Sequence, residues 1–218
     1  MLTDGAEDAA VHGVALTERA IEAVRRDPGA SALEYQRVPW VSDGIPAPMP
    51  EARLAEARFP SGRPLPPSLR AWLAFDTSLL ARHGWFTPDG AFAPRPLSRL
   101  VGDEFGEPWA PEFQLFDDRF PECFLLPGGS DSRRFLTVTE PDALGEYPVL
   151  ALDFDDLPYV GLMYPGFDVY TADTAGLLGL GFSTYSSLID HGTYGPRMRH
   201  HAHHCFDGEP ESQFPFCF

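Results

Sequence analysis

The chain has 218 residues and a formal net charge of −16, with arginine supplying all 16 of its basic charges because lysine is absent. Hydrophobic residues at 44% and aromatics at 13% exclude general disorder, and no run reaches the roughly 18 to 20 uninterrupted apolar residues of a membrane-spanning helix. A field this acidic repels polyanions, which argues against nucleic acid as a partner, and it steers basic proteins toward the chain.

The N-terminal stretch to Val14 contains Asp4, Glu7 and Asp8, with neither a basic leader nor an apolar block. It does not read as a secretory signal, and a cytoplasmic location is expected. Leu16, Ala20, Ile21 and Val24 then share one face of a helix predicted to run from Leu16 to Arg26, with Arg25 and Arg26 in its last turn and Asp27-Pro28-Gly29 ending it. From Val38 to Pro64 repeated prolines predict an irregular connection in which only Pro50 to Arg58 makes a short helix. Leu65-Pro66-Pro67 opens the next helix, with Leu69, Trp72 and Leu73 on one face, expected to reach about Arg82 and to stop near Gly84.

After a second proline-rich stretch, Phe86 to Pro111, the pattern changes to short apolar runs between turn residues. Strands are predicted at 122–126, 135–139, 149–153, 159–164 and 167–170, the first two joined by Gly128-Gly129-Ser130-Asp131. Such short connections favour antiparallel neighbours. Thr171 is expected to cap a short helix over Ala172 to Leu178, and the chain beyond Tyr185 reads as irregular. The fold class is therefore α+β: a mainly antiparallel, mixed-order sheet with helices packed on one side and an irregular proline-rich insertion. Three regions follow, an N-terminal extension packed on the core (1–64), an α+β domain (65–185) and a His-rich tail (186–218).

Cys123, Cys205 and Cys217 form an odd set with no close pair, which argues against a disulfide framework and a four-thiolate zinc site. Two clusters invite enzymatic readings. Val149 to Asp156 is an apolar strand ending in Asp153, Asp155 and Asp156, similar to the nucleophile motif of haloacid-dehalogenase-type phosphatases, in which paired aspartates hold magnesium. That motif normally opens its domain and uses a lysine, whereas here it comes late in a chain without one, and a strand followed by a solvated Asp turn is the simpler account. His200-His201-Ala202-His203-His204-Cys205 offers ligands for zinc, nickel or copper, but adjacent histidines seldom converge on one ion. Ser183 lacks the second glycine of a nucleophile elbow, and neither a Gly-rich phosphate loop nor a dinucleotide fingerprint occurs, so no cofactor and no metal is expected.

Leu65-Pro66-Pro67-Ser68-Leu69-Arg70-Ala71-Trp72-Leu73 and the run from Phe124 through Asp173 resemble the SUKH superfamily of bacterial toxin-immunity domains. The first resembles that family's opening, a Leu-Pro pair starting a helix that covers the sheet. Tyr147-Pro148-Val149, Asp153, Asp155 and Gly166 to Ala172 resemble its strands, acidic turn and closing strand-to-helix step. The resemblance spans Leu65 to Leu178, without the Asn-Gly that often follows the family's first helix. It implies a non-catalytic domain that binds and blocks a cognate toxin, often a nuclease. On acidity and expected exposure, Asp153, Asp155, Asp156, Tyr159, Tyr164 and Asp168 are the candidate partner contacts. The competing expectation is a metal-dependent hydrolase built on Asp153, Asp155 and Asp156 or on the His200 to Cys205 cluster.

Overall fold

In a computed structural model, which describes residues 11–33, 37–129, 132–154 and 157–216, the first apolar stripe forms the helix that its spacing predicts. Helix α1 spans Gly13–Arg26 and buries Leu16, Ala20, Ile21 and Val24 together with Thr17. Within the proline-rich connection α2 (Glu51–Glu56) is the short helix expected there. Helix α3 (Pro67–Phe75) places Pro67 in its first turn, where a missing amide leaves no bond unmade, and buries Leu69, Trp72 and Leu73.

The single helix expected as far as Arg82 is two helices, because α3 ends before Asp76 and α4 spans Ser78–Arg82. Asp76 is fully buried and its carboxylate accepts from the Ala47 amide at 2.9 Å, the Ser78 hydroxyl at 2.8 Å and the Leu79 amide at 3.1 Å. Extended backbone at Asp76 satisfies all three donors, and continued helix would not. The second proline-rich stretch is more regular than expected. Helix α5 (Leu97–Phe105) starts directly after Pro96 and buries Leu97, Leu100 and Val101, and α6 (Ala110–Phe113) follows between two 3₁₀ turns.

Five antiparallel strands follow one another in chain order across an open sheet: β1 (Cys123–Leu126), β2 (Ser132–Thr137), β3 (Val149–Asp153), β4 (Tyr159–Tyr164) and β5 (Glu211–Gln213). The α+β class and the antiparallel sheet agree with the sequence reading, while the order is simpler than the mixed one expected. Strand β2 begins three residues before its predicted start. The predicted fifth strand, 167–170, is instead the first half of helix α7 (Phe167–Thr174), and Thr171 lies inside it, its hydroxyl bonded back to the Phe167 carbonyl. The region beyond Tyr185 is not irregular, since it supplies helix α8 (Gly195–Phe206) and strand β5.

Residues paired across an antiparallel ladder share a face. Cys123, Arg133, Phe135, Leu150 and Leu152 occupy one face, where Arg133 meets Glu104 of α5 at 3.2 Å. Cys205 brings α8 to the same side, its sulfur 3.8 Å from the Thr139 hydroxyl. The other face carries Phe124, Arg134, Ala151, Asp153, Tyr159, Gly161 and Glu211. There Trp85 and Phe59 pack on Phe124 with ring centroids 4.6 and 5.2 Å away. Helix α7 packs against β4, with α1 and α3 against α7 in turn. No helix among the described residues is long and apolar enough to cross a membrane. Cys123 and Cys205 are buried and unpaired by disulfide, and Cys217 lies outside the described residues.

Candidate functional site

On the second sheet face the segment 177–185, which follows α7, arches over strands β2 to β5 and encloses a cavity of about 750 Å³. Its floor follows from the strand register. Arg134 on β2 pairs with Ala151 on β3, which pairs with Gly161 on β4, which pairs with Glu211 on β5. The two small residues in the middle of this row are covered, and Ala151 is fully buried. The Tyr159 phenol folds over Gly161, and a Cβ there would sit 2.3 Å from the Tyr159 oxygen. The next row sets Asp153 beside Tyr159 and Gln213.

Tyrosines bind every carboxylate in this cavity. Tyr185 donates to Asp153 at 2.5 Å, Tyr164 to Asp173 at 2.9 Å, and Tyr159 to Glu211 at 3.2 Å, where Ser186 adds a second donor at 2.6 Å. Burial raises the Asp173 carboxyl to about 6, against the opposing pull of the Tyr164 hydroxyl. Burial likewise raises the Tyr159 and Tyr164 phenols, keeping both neutral donors. Met163, Leu178, Leu180 and Phe182 supply apolar walls, and Leu157 at the mouth is 57% exposed.

Of the six candidate contacts, Asp153, Tyr159 and Tyr164 are brought together as walls of this cavity. Asp155 and Asp156 lie outside the described residues. Asp168 corrects the expectation of a surface acid: it is fully buried, and Arg197 of α8 grips it at 2.8 and 3.1 Å. The same guanidinium reaches Asp142 at 2.5 Å, and the Gly13 amide at the start of α1 donates to Asp168 at 2.6 Å. Asp168 is therefore a structural tie between α1, α7 and α8. The sequence reading missed Arg134, Asp173, Tyr185 and Glu211 as cavity residues. Only the Arg133-Arg134 pair carries a signal, since strand alternation must send one of the two to each face.

The second enzymatic cluster does not converge. Helix α8 turns His201 and Cys205 inward and His203 and His204 outward, while His200 reaches the Pro141 carbonyl at 2.9 Å. Among the described residues no three His, Cys, Asp or Glu side chains form a metal-binding group. Burial pushes the Cys205 thiol up to about 12, far from the thiolate that nucleophilic chemistry requires.

Next to the Arg197 cluster, Glu146 accepts from the amide of Ser68 at 2.9 Å and from its hydroxyl. Burial, reinforced by the Asp168 charge, raises its carboxyl to about 8. The folded state thus holds this proton more tightly than the unfolded chain does, and the associated stability is lost as pH rises from about 4.5 through about 8. Thermal unfolding should shift to lower temperature over that range. Glu146→Gln, which keeps both Ser68 bonds, should flatten the profile above pH 6, leaving the slope below pH 6 that the raised Asp173 contributes in the same sense. An unchanged slope between pH 6 and 8 in this variant would contradict the assignment.

The fold is of the α+β class, with a cavity on one face of its antiparallel sheet. In the same class, the chain is similar in structure to an uncharacterized protein from Salmonella enterica subsp. enterica serovar typhimurium str. 14028s, with a TM-score of 0.56 and 16% identity over 89% of this chain and 94% of that one. At that identity the likeness concerns the fold alone. No family model matches the chain, and no curated protein matches it.

Proposed function

We propose that this chain is a non-catalytic protein-binding domain, an immunity protein of the SUKH kind that binds and neutralises a cognate bacterial toxin in the cytoplasm. The observation that carries this reading is the mouth of the sheet-face cavity. It sets the exposed Leu157 beside Asp153, Tyr159, Tyr185 and Glu211. An exposed apolar side chain bordered by tyrosines and acids is a surface that the apolar and basic groups of a partner can cover. The net charge of −16 then speeds encounter more than it strengthens the final complex. The tyrosine-bound Asp153 and the buried Cys205 thiol support a binding role over hydrolysis.

The test is titration of the chain against the toxin encoded beside its gene. A nanomolar complex whose association rate falls with rising salt is expected. Leu157→Asp should weaken it by at least about 2 kcal/mol, roughly thirtyfold, without changing the melting temperature. Failure to form a complex at physiological salt would sink the proposal, and an unaffected Leu157→Asp variant would move the interface elsewhere.

A further inference from the structure

Two arginines are buried in this protein, and they are treated differently. Arg197 is 9% exposed and is bound by two carboxylates. Arg134 is 8% exposed, yet no carboxylate of the described residues lies within ion-pair distance of it, and its Nε is buried without any hydrogen-bond partner. A single side-chain bond, from Nη1 to the Ser132 hydroxyl at 3.2 Å, holds it beneath the Gly128-Gly129 turn. Asp173 feels the Arg134 charge, but no carboxylate of the described residues contacts the guanidinium, and a buried cation without a direct ion pair is costly. Arg134 stands in the wall of the sheet-face cavity, whose volume of about 750 Å³ is that of a small-molecule site.

We infer that this cavity binds a small amphipathic carboxylate, its anionic end on Arg134 and its apolar body between Met163 and the arch residues Leu178, Leu180 and Phe182. Arg134 itself lines the cavity, so the head group reaches the guanidinium from it. The other charged groups decide the class of anion. Asp153, Asp173 and Glu211 share the cavity, which penalises a doubly charged phosphate far more than a single carboxylate. Their engagement by Tyr185, Tyr164 and Tyr159 spreads that negative charge, and Asp173 is partly protonated near pH 6. This inference concerns the interior of the cavity and does not depend on a protein partner at its mouth.

Calorimetric titration of the full chain with decanoate and with 3-phenylpropionate tests it, with decan-1-ol and decylammonium as the uncharged and oppositely charged comparators. Saturable one-to-one binding of both carboxylates is expected, with decylammonium at least about tenfold weaker than decanoate, the margin of one charge-assisted hydrogen bond. Arg134→Gln should weaken decanoate by at least about tenfold while leaving decan-1-ol unchanged. Leu180→Trp lies on the half-buried arch, leaves the backbone hydrogen bond of Leu180 to Asp173 available and should remove decanoate binding by filling the cavity, so the inference does not rest on the folding of the Arg134 variant. It is overturned if neither carboxylate binds, if decylammonium binds as tightly as decanoate, or if both variants bind decanoate like the parent.

Discussion

Replacing Arg197 with leucine is expected to lower stability by about 3 to 5 kcal/mol, the cost of leaving buried carboxylates without their counter-ion. For a chain of this size that is a fall of about 6 to 20 °C in melting temperature. The guanidinium faces Asp142 through Nε and Asp168 through both terminal nitrogens, and Nη1 also donates to the His12 ring at 3.2 Å. Burial opposes ionisation of Asp142, yet the adjacent His201 ring and the Arg197 charge hold its carboxyl well below the ordinary range. Burial in turn lowers the His201 pKa, and its Nε2 lies 3.0 Å from the Pro165 carbonyl. Removing Arg197 leaves Asp142 its amides from Leu144 and Glu146 but no charge, and leaves Asp168 only the Gly13 amide. Arg197→Lys should fall between parent and leucine, because an ammonium supplies the charge but not the two-pronged geometry. Urea unfolding of the three proteins measures the series, and a loss below about 1 kcal/mol for leucine would contradict the assignment.

The same cluster explains which parts of the fold were legible in the sequence. Helices α1 and α3 were readable because each buries an apolar stripe at helical spacing, and β1, β3 and β4 because each is a short apolar run between turn residues. Helix α7 was misread as a strand because nearly every side chain from Phe167 to Thr174 is buried, which erases the stripe that marks a helix. Helix α8 was missed for the opposite reason: its buried face contains Arg197 and His201 beside Met198, Ala202 and Cys205. These polar residues are interior because Asp142, Asp168 and the Pro165 carbonyl receive them, and those partners lie 29 to 55 residues away. The candidate site shows the same division. Asp153 and Tyr159 could be grouped because they flank one turn between adjacent strands, and Tyr164 because it ends the second of those strands. Arg134 and Glu211 join them only through the register of β2 and β5, which no local pattern in the chain records.

Gly166→Ala carries the second large expected effect, and it bears on the same cluster from the backbone side. Gly166 has φ of −177°, an extended conformation open to any residue, so alanine meets no backbone strain there. The obstacle is space. An added Cβ would sit 2.4 Å from Asp168 Oδ1, 2.6 Å from Arg197 Nη2 and 2.9 Å from Glu146 Cβ. None of the three can retreat freely, since Asp168 and Arg197 hold each other and Glu146 is anchored by Ser68. A loss of about 3 kcal/mol is expected, the upper end for overpacking a well-filled interior, with part of it arising from the displaced ion pair. The double variant distinguishes this cause from a general intolerance of the turn. Arg197→Leu removes the atom 2.6 Å from the new methyl and frees Asp168 to rotate, so the two losses should sum to less than additivity by about 0.5 to 3 kcal/mol. Strict additivity would mean that Gly166 is needed for a reason outside the Arg197 cluster.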